Sequence, residues 1–166
     1  SDAVFFIMGS LMLAVSIVYQ GLDKRLALGV INLTGNRTWR IVLGFIGISA
    51  ILSSFIGEHT VAAMMLPVAL ALIRNTGIDT SKPSQLSNLL LFSIAYGCAI
   101  GSIGTPSGGG RNVIMIGYLS EFGLAKISYL DWMKFSYPLL LFQIPVATFI
   151  LWYTFTPSQK IMDSAV

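Results

Sequence analysis

The chain has 166 residues, of which 55% are hydrophobic and only 10% are charged, and its mean hydropathy is +0.79. These values exclude an ordinary soluble domain and predict an integral membrane protein with a few spans. The formal net charge of +3 is too small to indicate a nucleic-acid partner, and the single cysteine, Cys98, excludes an intramolecular disulfide and a cysteine-based metal site.

The N-terminal part of the chain predicts one span followed by a surface helix. Residues 1–20 are dominated by an apolar run that, with its flanks, is long enough to cross a bilayer. No basic region precedes this run, so it does not resemble a cleavable signal peptide, and the opening resembles a cut more than a natural start. Residues 22–36 mix leucines with charged residues, which is typical of a helix lying along the membrane interface.

Residues 40–73 predict a re-entrant helical hairpin. Its two apolar arms, residues 41–56 and 61–73, meet at a polar segment, residues 53–60, which we call the tip. Each arm is shorter than the roughly 20 residues that a span needs, so the chain is expected to enter and leave the bilayer by the same face. The alternative is two ordinary short spans joined by a polar turn outside the membrane.

The next apolar segment, residues 86–120, is predicted to be a span broken near its middle. Residues 104–112, which we call the break, read GTPSGGGRN. A helix cannot run smoothly through Pro106 and three consecutive glycines. Backbone groups freed at membrane depth are tolerated only where protein or a water-filled cavity surrounds them. The break therefore predicts a binding site.

The composition of the break favours an anion. Glycines let a ligand approach the backbone, and exposed amides at the positive end of a helix expected to start near Val113 attract negative charge. Arg111 adds a full positive charge. The alternative is a proline kink whose arginine extends to the headgroups, but apolar residues flank Arg111 on both sides and such extension works near span ends.

Two more elements complete the predicted fold. Residues 126–134 are expected to lie at the interface, with Tyr129 and Trp132 as headgroup-level anchors, and residues 135–155 form the last span. All six segments belong to a single membrane region, residues 1–166.

The basic residues predict the orientation. If the hairpin enters from the side on which residues 22–36 lie, most lysines and arginines fall on that side, which is then cytoplasmic by the positive-inside rule. These residues are Lys24, Arg25, Arg37, Arg40, Arg74, Lys82 and Lys160. Only Lys126 and Lys134 fall on the other side, and Arg111 lies within the membrane.

Glu58 in the tip and Arg111 in the break are the expected charge partners, because ionisable residues at membrane depth are expensive and pair with one another. Glu58 either only neutralises Arg111 as a structural ion pair or carries a coupling cation or a proton. The lone histidine, His59, is more typical of a hydrogen-bonding group than of a metal ligand. An enzyme is not expected, because Glu58 and His59 are adjacent on a helix and should point away from each other.

At these residues the sequence resembles the divalent-anion:sodium symporter family, which carries dicarboxylates, citrate or sulfate. Residues 6–14 and 21–28 are similar to the family's third span and interfacial helix. Residues 60–67, TVAAMMLP, match the segment that comes after the family's Ser-Asn-Thr hairpin tip. Residues 93–96 and 100–105 lead, as in the family, into a Gly-Thr-Pro-Pro-Asn break.

The resemblance implies the architecture and partners. The chain looks like the first inverted repeat of the family without its first two spans, and a second repeat or another chain is needed to complete the site. Family members form homodimers in which a transport domain moves against a scaffold, an elevator motion. The family's sodium ligands map to Ser54, Glu58, His59 and the Gly108 backbone, and its substrate contacts map to His59, Thr60 and Gly109.

The chain departs from the family's two motifs. Glu-His-Thr at residues 58–60 replaces Ser-Asn-Thr, and Gly-Gly-Gly-Arg-Asn at residues 108–112 replaces Gly-Thr-Pro-Pro-Asn. Loss of the asparagine removes a cation ligand and a donor to a carboxylate. The gain of Arg111 keeps an anionic substrate plausible, and the gain of Glu58 makes proton coupling a competitor of sodium coupling.

The sequence thus predicts an all-α integral membrane protein of the inner or plasma membrane, with a re-entrant hairpin and a broken helix, forming one half of an inverted-repeat transporter. Its function is secondary active transport of a small anion such as a dicarboxylate, citrate or sulfate, coupled to Na⁺ or H⁺. No other cofactor or metal is expected. The alternative is a non-transporting structural membrane subunit of a larger assembly. The candidate substrate residues are His59, Thr60, Gly108, Gly109, Gly110, Arg111 and Asn112, and the candidate cation residues are Ser54, Glu58, His59 and Gly108.

Overall fold

The computed structural model describes residues 38–75, 84–124 and 126–155, together with a few positions between residues 5 and 21. These ranges are helical and contain no strand, which confirms the all-α class. The helices are α1 (Thr38–Ile56), α2 (Glu58–Asn75), α3 (Gln85–Gly101), α4 (Gly110–Glu121) and α5 (Tyr129–Thr154), with a short 3₁₀ turn (Pro106–Gly108) between α3 and α4. The predicted interfacial helix at residues 22–36 lies outside the described residues.

Gly57 separates the two arms of the predicted hairpin. Its φ of +101° lies in the region that side chains disfavour, so a glycine is suited to the point where α1 ends and α2 begins. The arms have 19 and 18 residues and are therefore longer than the sequence suggested. The length of the arms therefore does not distinguish a re-entrant hairpin from two short spans. That the hairpin is re-entrant stays a prediction.

Two of the described helices are long and apolar enough to cross a membrane. They are the stretch Trp39–Ile56 within α1 and the whole of α5. Half of the first stretch is buried inside the protein, whereas α5 is mostly exposed. Helix α1 is therefore central in the described part of the chain, and α5 packs on its outside.

The main core lies where α1, α2 and α3 meet. Its side chains are apolar, come from all three helices and are almost completely buried. They include Phe45, Val61, Met65, Leu86, Leu90 and Ile94. Burial of such side chains contributes about 1.5–3 kcal/mol each by transfer from water, and within a bilayer the same contacts act through close packing.

Helices α1 and α3 approach each other closely because α3 carries glycines at the contact. A Cβ atom on Gly97 would lie 2.7 Å from the carbonyl oxygen of Ile46, and a Cβ on Gly101 would overlap the backbone of Ala50. Gly97 and Gly101 form a GxxxG spacing, which places two small residues on one helix face and lets backbones pack together. This contact fixes the end of α3 beside the end of α1.

The helix interruption predicted at the break is present. Helix α3 ends at Gly101, the 3₁₀ turn follows, and Gly109 adopts an extended conformation (φ −157°, ψ 136°) before α4 begins. Helix α4 starts at Gly110, three residues earlier than the expected start near Val113. One extended residue is enough to redirect the chain, so Arg111 and Asn112 already belong to the first turn of α4.

The last helix begins earlier than the sequence suggested. The predicted boundary between an interfacial segment, residues 126–134, and a span, residues 135–155, is not a helix end, because α5 runs without interruption from Tyr129 to Thr154. Ser128 starts it by accepting a hydrogen bond from the Asp131 backbone N–H at 3.2 Å. Whether the first turns of α5 lie at the membrane surface stays a prediction.

Candidate functional site

The tip and the break are joined by an ion pair. Nη2 of Arg111 donates to Oε2 of Glu58 at 2.8 Å and to the Ser102 hydroxyl at 2.7 Å. The Glu58 side chain is 23% exposed and that of Arg111 is 59% exposed. The predicted partnership of these two residues is therefore present, and the described part of the chain leaves the pair partly exposed.

Glu58 is held at the first turn of α2, directly after Gly57. The positive end of a helix dipole stabilises a carboxylate at this position. His59 is 97% exposed, and its Nε2 lies 3.7 Å from Oε1 of Glu58. The expectation that these two side chains point away from each other was wrong, although 3.7 Å is too long for a hydrogen bond. Thr60 is half-buried in the same turn.

The Ser54 hydroxyl is buried and hydrogen-bonded to the backbone of the protein. Ser54 is 1% exposed, and its hydroxyl lies 2.9 Å from the carbonyl oxygens of both Ala50 and Gly101. The Thr105 hydroxyl in turn donates to the Ser54 carbonyl oxygen. These bonds tie the end of α1 to the end of α3 and to the break, so the hydroxyl of Ser54 is buried at the junction of the three segments.

Gly108 is surrounded by carbonyl oxygens. A Cβ atom there would lie 2.6 Å from the Ser102 oxygen and 2.9 Å from those of Ser53 and Ser54. Its own N–H donates to the carbonyl and hydroxyl oxygens of Thr105, at 3.1 and 3.2 Å. The Gly108 amide is therefore not available to an anion, whereas a cluster of carbonyl oxygens is the kind of environment that suits a hard cation.

Gly109 and Gly110 present the start of α4. The first N–H groups of a helix have no partner within it, and no side chain caps this terminus. A Cβ on Gly109 would meet the Arg111 side chain only at 3.7 Å, so the amides and the guanidinium lie side by side without crowding. Amides and a guanidinium in this arrangement favour an anion.

Asn112 faces inward. The residue is 5% exposed, and its Nδ2 donates to the carbonyl oxygens of Ser102 at 2.7 Å and Thr105 at 2.9 Å. Both hydrogens of the Asn112 side-chain amide therefore bond to backbone carbonyl oxygens at and just before the break. Asn112 positions the site, and its Nδ2 is not a free donor to a ligand.

Comparison with known families decides what kind of protein carries this site. The family described as Citrate transporter matches residues 1–163. The chain belongs to this citrate transporter family. Family membership confirms the resemblance to divalent-anion:sodium symporters, and it identifies the chain as part of an integral membrane protein of a transporter family and not of an enzyme.

Two curated relatives of this chain are named as dicarboxylate transporters. The chain is 29% identical over 168 residues to the sodium-dependent high-affinity dicarboxylate transporter 3 of Caenorhabditis elegans, and 32% identical over 159 residues to the sodium-dependent dicarboxylate transporter SdcS of Staphylococcus saprophyticus. These matches cover 93% and 92% of the chain, but only 29% and 30% of the two relatives.

The structure adds residues of this family member that the sequence did not identify. The Tyr129 hydroxyl lies 2.7 Å from that of Ser107, and the Trp132 indole N–H donates to the Ile103 carbonyl oxygen at 2.8 Å. The sequence interpretation assigned both aromatic residues to the headgroup region. Their spacing of three does place them on one helix face, but no local pattern indicates that this face meets the break.

Ser102 is a third residue to which the sequence assigned no role in the site. It is fully buried, its hydroxyl accepts from Arg111, and its carbonyl oxygen accepts from Asn112. Its hydroxyl also donates to the Ala99 carbonyl oxygen at 2.8 Å. Serines are frequent in membrane helices and usually bond back to the preceding turn, so sequence alone does not distinguish this one.

Proposed function

We propose that this chain supplies half of the substrate site of a secondary active transporter, which moves a small anion such as a dicarboxylate, citrate or sulfate with Na⁺ or H⁺. The observation that carries the proposal is the start of α4, where Arg111 lies 59% exposed beside a helix N-terminus at Gly109 that no side chain caps. The names of the relatives support a dicarboxylate and sodium.

The anion is proposed to bind Arg111 and the first amides of α4. A guanidinium and helix N-terminal N–H groups are complementary to a carboxylate or sulfate. His59 and Thr60 lie beside Glu58 in the first turn of α2 and are proposed to contribute further contacts. Gly108 and Asn112 are proposed to support this surface through the backbone, since Gly108 bonds to Thr105 and Asn112 bonds to Ser102 and Thr105.

The coupling cation is proposed to lie between the tip and the break. Ser53, Ser54 and Ser102 direct carbonyl oxygens toward Gly108, and Glu58 provides a carboxylate nearby. Oxygen ligands of this kind suit Na⁺, and a carboxylate alone suits a proton. The relatives named as sodium-dependent favour Na⁺.

The full transporter is proposed to contain a second inverted repeat that completes the site, and to work as a homodimer in the inner or plasma membrane by an elevator motion. The chain spans about 30% of the length of its relatives, which leaves room for that second repeat. The hairpin and residues 22–36 are proposed to lie on the cytoplasmic side, and the excess of basic residues there supports this orientation.

Uptake by the native protein in proteoliposomes tests the proposal. Labelled succinate, citrate and sulfate are offered with an inward Na⁺ gradient or an inward proton gradient. We expect gradient-driven uptake of at least one anion, a loss of about tenfold or more in Arg111→Gln by removal of a charged contact, and partial retention in Arg111→Lys. Arg74→Gln, at the far end of α2, is the matched control and should keep uptake. No gradient-driven uptake of any of the three anions would favour the structural subunit.

A further inference from the structure

Arg111 is occupied by a carboxylate of the protein itself. Oε2 of Glu58 accepts from Nη2 of Arg111 at 2.8 Å, the contact that a carboxylate substrate would make with the same guanidinium. We infer that the Glu58 carboxylate takes the place of the substrate carboxylate at Arg111. Glu58 binds Arg111 while the site is empty and is displaced when a substrate carboxylate binds. This inference rests on the proposed function.

The exposure of the pair favours exchange over permanent structure. Arg111 is 59% exposed and Glu58 is 23% exposed within the described part of the chain, so these residues do not enclose the pair. Partly exposed ion pairs contribute little to stability, and breaking them does not leave a buried charge without a partner. An incoming carboxylate therefore replaces one exposed partner of Arg111 by another.

Arg111 also has N–H donors that remain available to a substrate carboxylate. A single nitrogen, Nη2, makes both of its hydrogen bonds to the described residues, one to Glu58 and one to Ser102. The Nε and Nη1 groups make none within the described part of the chain. The Ser102 bond holds the guanidinium in place when Glu58 leaves, so the site is already formed for a second carboxylate.

The other charged groups of the described residues do not compete with a substrate carboxylate for Arg111, whereas Glu58 does. His59 on the same helix lies 3.7 Å from Oε1 of Glu58. On α5, Asp131 is hydrogen-bonded to Lys134 at 3.4 Å. The charged residue of α1, Arg40, lies near that helix's start, at the end away from the tip, and α3 has none. Among the described residues, Glu58 is the carboxylate that contacts Arg111.

Displacement would also release the start of α2. Glu58 follows Gly57 directly, and a Cβ atom on Gly57 would lie 4.0 Å from the Gly108 carbonyl oxygen, so Gly57 rests against the break without tight packing, whereas Ser54 stays bonded to Thr105. Among the described residues, the bond between Glu58 and Arg111 is the side-chain hydrogen bond that joins the first turn of α2 to α4. Substrate binding would therefore free the start of α2 as it fills Arg111.

Isothermal titration of succinate into the native protein in nanodiscs, at saturating Na⁺, tests the inference. If Glu58 occupies Arg111 for most of the time, removing its charge raises the apparent affinity, by about threefold to sixfold for a pair that is closed in roughly seven to eight molecules of ten. We expect Glu58→Gln to bind succinate about threefold to sixfold more tightly than the unmodified protein. Glu121→Gln, at the other end of α4, is the matched control and should change affinity less than about twofold.

The outcomes separate the inference from the proposed function. Unmodified protein that binds succinate while Glu58→Gln binds it equally or more weakly would overturn the inference and leave the proposed function standing. Absence of binding of succinate, citrate and sulfate to the unmodified protein would overturn both. Saturating Na⁺ removes an indirect effect of Glu58 on the cation.

A second measurement needs no variant. Amide hydrogen exchange of residues 57–62 is compared in the unmodified protein with and without saturating succinate. We expect succinate to speed exchange there, because the start of α2 loses its bond to Arg111. Unchanged or slower exchange in the presence of bound succinate would show that Glu58 stays in place, and the inference would be wrong.

Discussion

The hydroxyl oxygens of Tyr129 and Ser107 lie 2.7 Å apart, which bonds the first turn of α5 to the break 22 residues earlier in the chain. Ser107 is also 2.8 Å from the Thr105 hydroxyl, which donates to the Ser54 carbonyl oxygen. A continuous chain of hydroxyl groups thus connects α5 with the end of α1 through the break. The last helix therefore helps to hold the site.

Tyr129→Phe is expected to loosen the break. The change removes one hydrogen bond and leaves the ring, so the free energy of unfolding should fall by about 0.5–1.5 kcal/mol. Thermal unfolding of the purified protein measures it. Tyr153→Phe, whose ring is 79% exposed near the end of α5, is the control and should have no such effect. Equal stability of the two variants would contradict a role for the Tyr129 hydroxyl.

Asn112→Ala is expected to destabilise the break more strongly. The carbonyl oxygens of Ser102 and Thr105 would each lose a donor; Thr105 keeps the Gly108 N–H, whereas an unsatisfied buried group such as the Ser102 oxygen costs about 1–3 kcal/mol. Chemical denaturation measures the loss. Asn88→Ala is a control of the same type, because the Asn88 side chain makes no hydrogen bond to the described residues. If Asn112 were a substrate contact alone, affinity would fall while stability stayed unchanged.

Gly101→Ala is expected to force α1 and α3 apart. The added methyl group would overlap the backbone of Ala50, and such overpacking costs about 1–3 kcal/mol. Gly117→Ala on α4 is the matched control: nothing lies within 4 Å of its Cβ position, so the variant should be unchanged or more stable. Thermal unfolding of both proteins compares them, and a neutral Gly101→Ala would mean that the helices are not in close contact.

A double-mutant cycle tests the ion pair between Glu58 and Arg111. Stability is measured for Glu58→Gln, for Arg111→Gln and for the protein with both changes. A partly exposed pair at 2.8 Å should give an interaction energy of about 0.5–1 kcal/mol. Exchange of the two residues, Glu58→Arg with Arg111→Glu, should restore part of the stability. Strictly additive effects would reject the pair.

The sequence alone was sufficient to predict the membrane character, the helical class and the position of the break. It also predicted the charge pair that joins the break to the tip. Pro106 and three consecutive glycines interrupt a helix in any context, because their effect is on their own backbone. Two isolated charges in an apolar chain pair with each other because unpaired charges are costly there. These features arise from properties of single residues, so no tertiary structure is needed to predict them.

Only the tertiary structure decided which group bonds to which. Asn112 bonds to the carbonyl oxygens of Ser102 and Thr105, Tyr129 bonds to Ser107 in the break, and Trp132 bonds to Ile103 next to it. Each of these bonds depends on how helices distant in the chain are placed against one another. That placement comes from the glycine contact of α3 with α1, which brings the end of α3 to the tip, and from the packing of α5 on α1 and α3. Local sequence patterns carry no information about such distances, because helix packing sums many weak contacts across the whole fold.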